Sequence, residues 1–188
     1  MTDQTETEEE QMHNPKRRLI VCLDSGDTII DEGTEIKDET GIVLEARCIP
    51  GAEEAVRELH RLGFPLVMIA DGYRASFERV YRDNGMDKLF SARIYSEDVG
   101  VSKPDPRMFE AALQAMDLTS ADFPRMMMVG NNLARDIKGA NQMGMISVHI
   151  DWTPRYPRVP REAGEVARYT IHEPTELVPL VLRLEAEA

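Results

Sequence analysis

Five consecutive apolar residues, Leu19-Ile20-Val21-Cys22-Leu23, run straight into Asp24-Ser25-Gly26-Asp27-Thr28. A run this short and uninterrupted, with Arg17-Arg18 before it and an acidic turn after it, is the pattern of a strand buried on both faces. No other stretch constrains the fold as much, because such a strand needs a packed layer on each side. Its downstream end is chemically exposed in another sense. An acid placed where the strand leaves the core is poorly solvated, and in open parallel sheets ligands bind at the carboxyl ends of the strands.

The pattern repeats along the chain. Phe64-Pro65-Leu66-Val67-Met68-Ile69-Ala70 is a second buried strand ending in Asp71-Gly72, and a shorter one is expected near 92–96. Met126-Met127-Met128-Val129 and Met145 to Ile150 follow, with a short edge strand at Tyr169 to His172. The three consecutive methionines are core filler rather than a metal site. Helical stripes lie between the strands: Ala52, Val56, Leu59 and Leu62, stopped by Gly63; Phe77, Val80 and Tyr81, stopped near Gly85; Phe109, Ala112, Leu113 and Met116. Leu133, Ile137 and Ala140 form a further stripe, closed by Gly144, and residues 174–185 form the last helix. Pro179 requires that helix to kink or to start late. Strictly alternating strands and helices predict a parallel sheet covered on both faces. The exception is 31–49, where Ile36 and Ile42-Val43-Leu44-Glu45-Ala46 flank a turn and predict a hairpin.

At 188 residues the chain is long enough for one such domain, expected over 17–188. Residues 1–16 are polar, acidic and aperiodic, and are expected to form a disordered tail. The net charge of −12 argues against general nucleic-acid binding, which needs clustered Lys and Arg. The polar start is unlike a signal or transit peptide, and no apolar run approaches membrane-spanning length. Cys22 and Cys48 sit in apolar runs that suit reduced thiols. The expectation is a cytoplasmic protein with no membrane partner. His60, His149 and His172 lack metal-ligand spacing and are read as structural.

Four strand ends converge on one rim and bring Asp24, Ala70-Asp71, Lys103, and Asn131 with Asp136 together. Each suits a phosphate ligand. A carboxylate can attack phosphorus and split one hard step into two. A lysine holds carboxylate and phosphate together against their repulsion, and Mg²⁺ held by carboxylates, carbonyls and waters neutralises the transferring group. Asp24 and Lys103 are expected to face each other across a cation-sized gap.

With these residues in place, the sequence resembles the haloacid dehalogenase (HAD) superfamily from about residue 17 to residue 185. Asp24-Ser25-Gly26-Asp27-Thr28 is similar to the family's D-x-D-x-T motif. The second motif, a Thr or Ser ending a strand, falls at Ala70 within Ala70-Asp71-Gly72. The third-motif lysine falls at Lys103 in Val101-Ser102-Lys103-Pro104-Asp105-Pro106, and the fourth motif on Gly130-Asn131 with Asp136. The resemblance implies a three-layer, Rossmann-like α/β fold, with a parallel sheet and helices on both faces. It also implies an aspartyl-phosphate on Asp24, with Asp24, the Gly26 carbonyl, Asn131 and Asp136 around Mg²⁺. The phosphoryl group is then expected against Ala70, Asp71, Gly72, Lys103 and Arg135. Arg135 lies in the first turn of a helix, where its charge opposes the dipole; it answers a bound phosphate or is simply exposed.

Three departures weaken that set. The acid that protonates the leaving group in family phosphatases stands at the position of Gly26, and its absence is worth about 10²–10⁴-fold in rate. Ala70 lacks a hydroxyl, and Asn131 removes a charge from the metal site. Asp27 follows a glycine whose backbone freedom lets the next side chain turn inward and replace the acid; alternatively, Asp27 and Thr28 only bond the turn. If only the acid is missing, Gly26→Asp should raise activity.

The spacings from Asp24 to Pro50-Gly51 and from Ala70 to Lys103 leave no room for a cap domain of the family's kinds, so the 31–49 hairpin is the expected flap. An open rim favours a large or macromolecular phosphorylated substrate, or a second copy of the chain as a lid. Trp152 to Arg161, rich in Pro and Arg, leaves a strand on the same side and forms either an anion-binding lip through Arg155 and Arg158 or a solvated connector. The first functional expectation is a Mg²⁺-dependent phosphohydrolase. The second is a catalytically silent relative that binds a phosphorylated ligand or partner.

Overall fold

The computed structural model describes residues 17–187. The acidic stretch expected as a tail lies outside them. The chain opens with β1 (Ile20–Leu23), then forms a 3-10 turn and a hairpin of β2 (Ile36–Lys37) and β3 (Val43–Glu45) before α1 (Ala52–Arg61). Next come β4 (Leu66–Ala70), α2 (Arg74–Asp83), β5 (Ala92–Tyr95), the short α3 (Ser96–Val99) and α4 (Pro106–Ala115). The chain ends through β6 (Met126–Gly130), α5 (Lys138–Met143), β7 (Ile146–Ile150), β8 (Tyr169–Ile171) and α6 (Leu177–Glu187).

Six strands pair in the order β5-β4-β1-β6-β7-β8, every pairing parallel. β1 sits inside the sheet, in register with β4 through Cys22↔Val67 and with β6 through Cys22↔Met128. Its side chains divide by the two-residue strand period. Leu19, Val21 and Leu23 enter one core with Val56 and Leu59 of α1 and Val181 and Leu184 of α6. Ile20 and Cys22 enter the other with Met108, Phe109 and Ala112 of α4. The methionines split likewise, Met127 to the first core and Met126 and Met128 to the second. Burying one such side chain contributes about 1.5–3 kcal/mol. An exposed ion pair such as Arg57–Glu53, at 2.8 Å on α1, contributes under about 1 kcal/mol. The fold therefore rests on its two apolar layers.

Burial pushes the Cys22 thiol up to about 12 and the Cys48 thiol up to about 11, so neither is a thiolate at neutral pH. Pro179 lies in the first turn of α6, where backbone N–H groups have no intrahelical acceptor to lose. The helix starts late rather than kinking. The hairpin turn is held by Asp38, whose Oδ1 accepts from the Thr40 and Ile42 amides. Ser76 of α2 accepts from the Val43 amide at 3.0 Å and fixes the hairpin over the carboxyl ends of the strands. No helix among the described residues is long and apolar enough to cross a membrane.

Candidate active site

The chain leaves β1 through a tight turn. The Asp24 amide donates to the Val129 carbonyl at 3.0 Å, which locks position 24 to β6. The Ser25 carbonyl then accepts from the amides of Thr28, Ile29 and Ile30. Asp27 closes the turn with φ 49°, in the left-handed region that Asp tolerates better than bulky residues. Asp24 ends on the floor of a cleft of about 360 Å³ at the sheet's rim.

Lys103 organises that floor. Its Nζ donates at 2.7 Å to Asp24 Oδ1 and to the Ile69 carbonyl, and forms an ion pair with Asp136 Oδ1 at the same distance. The side chain is 1% exposed, and so is that of Asp136. The expected gap between Asp24 and Lys103 is therefore closed: carboxylate and ammonium touch. Burial works against the lysine's charge, but Asp136, Asp24 and Asp71 outweigh it and push its pKa up. Asp136 is itself pushed up, by burial and by Asp24, against the pull of Lys103. The lysine backbone is held as well, its amide donating to Asp71 Oδ1 at 3.0 Å.

The fourth strand end shows how the local sequence builds the site. A Cβ built on Gly130 would collide with the Asp136 carboxyl, so only glycine lets that side chain fold back over the strand end. Asp136 Oδ2 accepts from the Asn132 amide at 2.9 Å, and residues Leu133–Ile137 form a π-helical turn before α5. Such turns frequently mark functional sites. Arg135, half-exposed on this turn, lines the cleft with NH1 3.6 Å from Asp71 Oδ2.

His149 on β7, read from the sequence as structural, is buried and contacts backbone. Its Nε2 lies 3.2 Å from the Asn131 carbonyl, which only accepts, so the ring donates there. Burial lowers its pKa, against the opposing effects of Asp151 and the Asn131 carbonyl. The unfolded chain therefore takes up this proton first as pH falls. Stability should decline from about pH 7 downward through the lowered folded-state value, and His149→Gln should flatten that decline. Urea midpoints of both proteins between pH 5 and 8 check it.

Other expected residues are placed differently. Asp27 does not reach the cleft. It is fully buried, with Oδ1 accepting from the Glu32 amide at 3.2 Å and from Arg155. Its inward turn is prevented because these two donors hold it on the far side of the loop. Arg155 also pairs with Asp31 at 2.8 Å, and Arg158 pairs with Asp151, so both arginines are occupied by carboxylates and neither lines the cleft. Ala70 is fully buried at the end of β4 and presents no polar group. The Gly72 amide donates to Ser96 Oγ at 2.9 Å and is not a free phosphate donor.

Two residues that sequence reasoning missed line the cleft instead: Glu32 and Tyr156. The Tyr156 hydroxyl donates to Glu32 Oε2 at 3.0 Å across 124 positions of sequence. Burial and the carboxylates of Asp27, Glu35 and Asp24 push the Glu32 pKa up, against that hydrogen bond. No sequence motif marks either residue; only the path of the Pro-rich loop brings them together.

Among the described residues no group of three or more His, Cys, Asp and Glu side chains is gathered as a metal centre. Asp24, Gly26, Asn131 and Asp136, the residues expected around a metal, nevertheless all line the cleft. An all-oxygen set with two carboxylates suits Mg²⁺, which keeps several waters and needs few protein ligands. The cleft's acids, Asp24, Glu32, Glu35, Asp71 and Asp136, also outnumber its cations, Lys37, Lys103 and Arg135. A divalent cation would offset that excess before an anionic substrate entered.

A family model described as haloacid dehalogenase-like hydrolase matches residues 6–144. The chain is 33% identical over 142 residues to a glyceraldehyde 3-phosphate phosphatase of Pyrococcus furiosus, covering 75% of this chain and 56% of that protein. It is 29% identical over 136 residues to the protein of the same description from Methanopyrus kandleri, covering 72% of this chain and 57% of that one. It thus spans little more than half the length of these relatives. Among solved structures it is similar to the magnesium-bound HAD-hydrolase YfnB of Bacillus subtilis, with TM-score 0.71 at 18% identity over 88% of this chain and 99% of that one. An HAD phosphatase from Thermococcus onnurineus gives TM-score 0.70 at 17% identity over 87% and 97%.

Proposed function

The chain belongs to the haloacid dehalogenase-like hydrolases, and from that premise we propose that it is a Mg²⁺-dependent phosphohydrolase acting on small phosphate esters through Asp24. The observation that carries this is the contact of Lys103 with both Asp24 and Asp136 at the mouth of the sheet. Lys103 engages Asp24 Oδ1, and no hydrogen bond or ion pair among the described residues occupies the other carboxylate oxygen. That oxygen is the nucleophile. Its attack on phosphorus forms an aspartyl-phosphate and expels the alcohol, and water then hydrolyses the acyl phosphate. Lys103 offsets the repulsion between the attacking carboxylate and the phosphoryl oxygens, and Arg135 at the cleft wall is placed for the substrate's anionic end. Asp71 positions Lys103 through its amide and orients Arg135. Asp24, the Gly26 carbonyl, Asn131 and Asp136 would hold Mg²⁺, which when bound neutralises charge on the transferring group.

The cleft volume of about 360 Å³ suits a small-molecule ligand and favours a compact phosphate ester over the large substrate that the open rim suggested. The phosphatase relatives support turnover over silent binding. The free thiols at Cys22 and Cys48 accord with a reducing, cytoplasmic setting.

A phosphate-release assay over a panel of triose, sugar and amino-acid phosphates at millimolar Mg²⁺ tests the proposal. Turnover of at least one ester is expected, lost on chelation and restored by Mg²⁺. No release from any ester, or release indifferent to chelator, would overturn it.

A further inference from the structure

Position 26 is a glycine where the resemblance calls for an acid, yet the space beside it is filled. A Cβ built on Gly26 would collide with Glu32 Oε1 and lie 2.9 Å from Glu32 Cδ. The carboxyl of Glu32 thus stands where a side chain at position 26 would begin, on the wall of the cleft whose floor is Asp24. It does not arrive there by chance packing. The Tyr156 hydroxyl donates to Oε2, the Glu32 amide donates to Asp27 Oδ1, and Arg155 fixes Asp27 in turn. Because Oε2 accepts from Tyr156, Oε1, the atom nearest the empty side-chain position, is the oxygen left to take up and give away a proton.

We propose that Glu32 is the general acid–base of this enzyme, delivered from the loop after β1 into the space that Gly26 leaves open, with Tyr156 as its positioning residue. The proposal rests on the phosphohydrolase reading and deepens it. In the first step an Asp24 oxygen forms a bond to phosphorus and the bond to the ester oxygen breaks. The proton on Glu32 Oε1 passes to that oxygen, so a neutral alcohol leaves. In the second step a water oxygen bonds to phosphorus and the Asp24–phosphorus link breaks. The water's proton returns to Glu32, and inorganic phosphate departs.

A leaving group that needs no proton separates this role from a structural one. Glu32→Gln keeps the shape and the Tyr156 bond, and is assayed with a primary alkyl phosphate and with 4-nitrophenyl phosphate. On the alkyl ester kcat should fall about 10²–10⁴-fold, the range for losing general acid–base help. With the aryl ester the variant should release about one equivalent of nitrophenolate in a fast burst and then stall as the phosphoenzyme, since only the second step still needs a base. Equal losses on both esters without a burst, or wild-type rates on the alkyl ester, would overturn the role of Glu32 and leave the phosphohydrolase reading standing. Failure of the unaltered protein to cleave any ester of the panel, 4-nitrophenyl phosphate included, would overturn both. A second pair of variants gives an independent answer. Gly26→Asp alone should lose alkyl-phosphate activity through collision with Glu32, and adding it to Glu32→Ala should recover activity over Glu32→Ala alone. A gain from Gly26→Asp with Glu32 in place would count against the proposal.

Discussion

Asp24→Asn is expected to abolish phosphate-ester turnover, by about 10⁴–10⁶-fold, while the protein stays folded and melts no lower than the parent. An amide nitrogen or oxygen at this position is not a nucleophile that can carry a phosphoryl group, and none of its neighbours is oriented to replace it. The fold should tolerate the change because Lys103 keeps the Ile69 carbonyl as acceptor and Asp136 Oδ1 as ion-pair partner, each at 2.7 Å. Removing one of the carboxylates crowded around a single ammonium also relieves repulsion, since Asp24 is among the groups that push Asp136 and Asp71 up. Sites of this kind commonly trade stability for activity. Steady-state rates and thermal melts of the purified pair check both halves. Activity within a hundredfold of the parent would remove Asp24 as the nucleophile.

Lys103→Met combines a loss of rate with a loss of stability. Deleting a preorganised charge that faces the transition state costs about 10²–10³-fold in kcat. Deleting one partner of a buried ion pair costs about 3–5 kcal/mol, because the remaining charge is left uncompensated. Both Lys103 and Asp136 are 1% exposed, so solvent screens this pair little. For a domain of this size the deficit corresponds to roughly 6–20 °C in Tm. Its pH dependence has a definite sign. Without the ammonium, the Asp136 carboxyl is raised further above its unfolded value, so the folded variant retains a proton that the unfolded chain has released. Its stability therefore grows as pH falls through that raised range. The gap between variant and parent should be smaller at pH 5 than at pH 8, as followed by urea unfolding. A gap independent of pH would show that Asp136 does not depend on Lys103 for its charge.

The expected strand–helix alternation reappears in the fold because each strand carries its own burial pattern. Leu19 to Leu23 is apolar at every position, and a strand with that pattern fits only between two layers. The motif residues were legible for the same reason. Asp24, Asp71, Lys103 and Asp136 follow strands, and a parallel sheet collects strand ends on one edge. What the sequence left undetermined was the direction of individual side chains in loops. Asp27, one residue from Gly26, is drawn away by Arg155, which lies 128 positions downstream. Glu32, unremarkable in the sequence, is turned toward the cleft by Tyr156. Arg155 and Arg158, whose loop read as either an anion-binding lip or a solvated connector, are occupied by Asp27, Asp31 and Asp151.

The sequence by itself determined the layered sheet and the gathering of Asp24, Asp71, Lys103 and Asp136 at its rim, because hydrophobic period and strand direction are local properties. That Asp24 and Lys103 touch instead of flanking a gap was left to the tertiary structure. Which carboxyl fills the space beside Gly26 was decided only in the tertiary structure. That choice depends on hydrogen bonds and ion pairs between loops more than a hundred residues apart, and no local pattern encodes them.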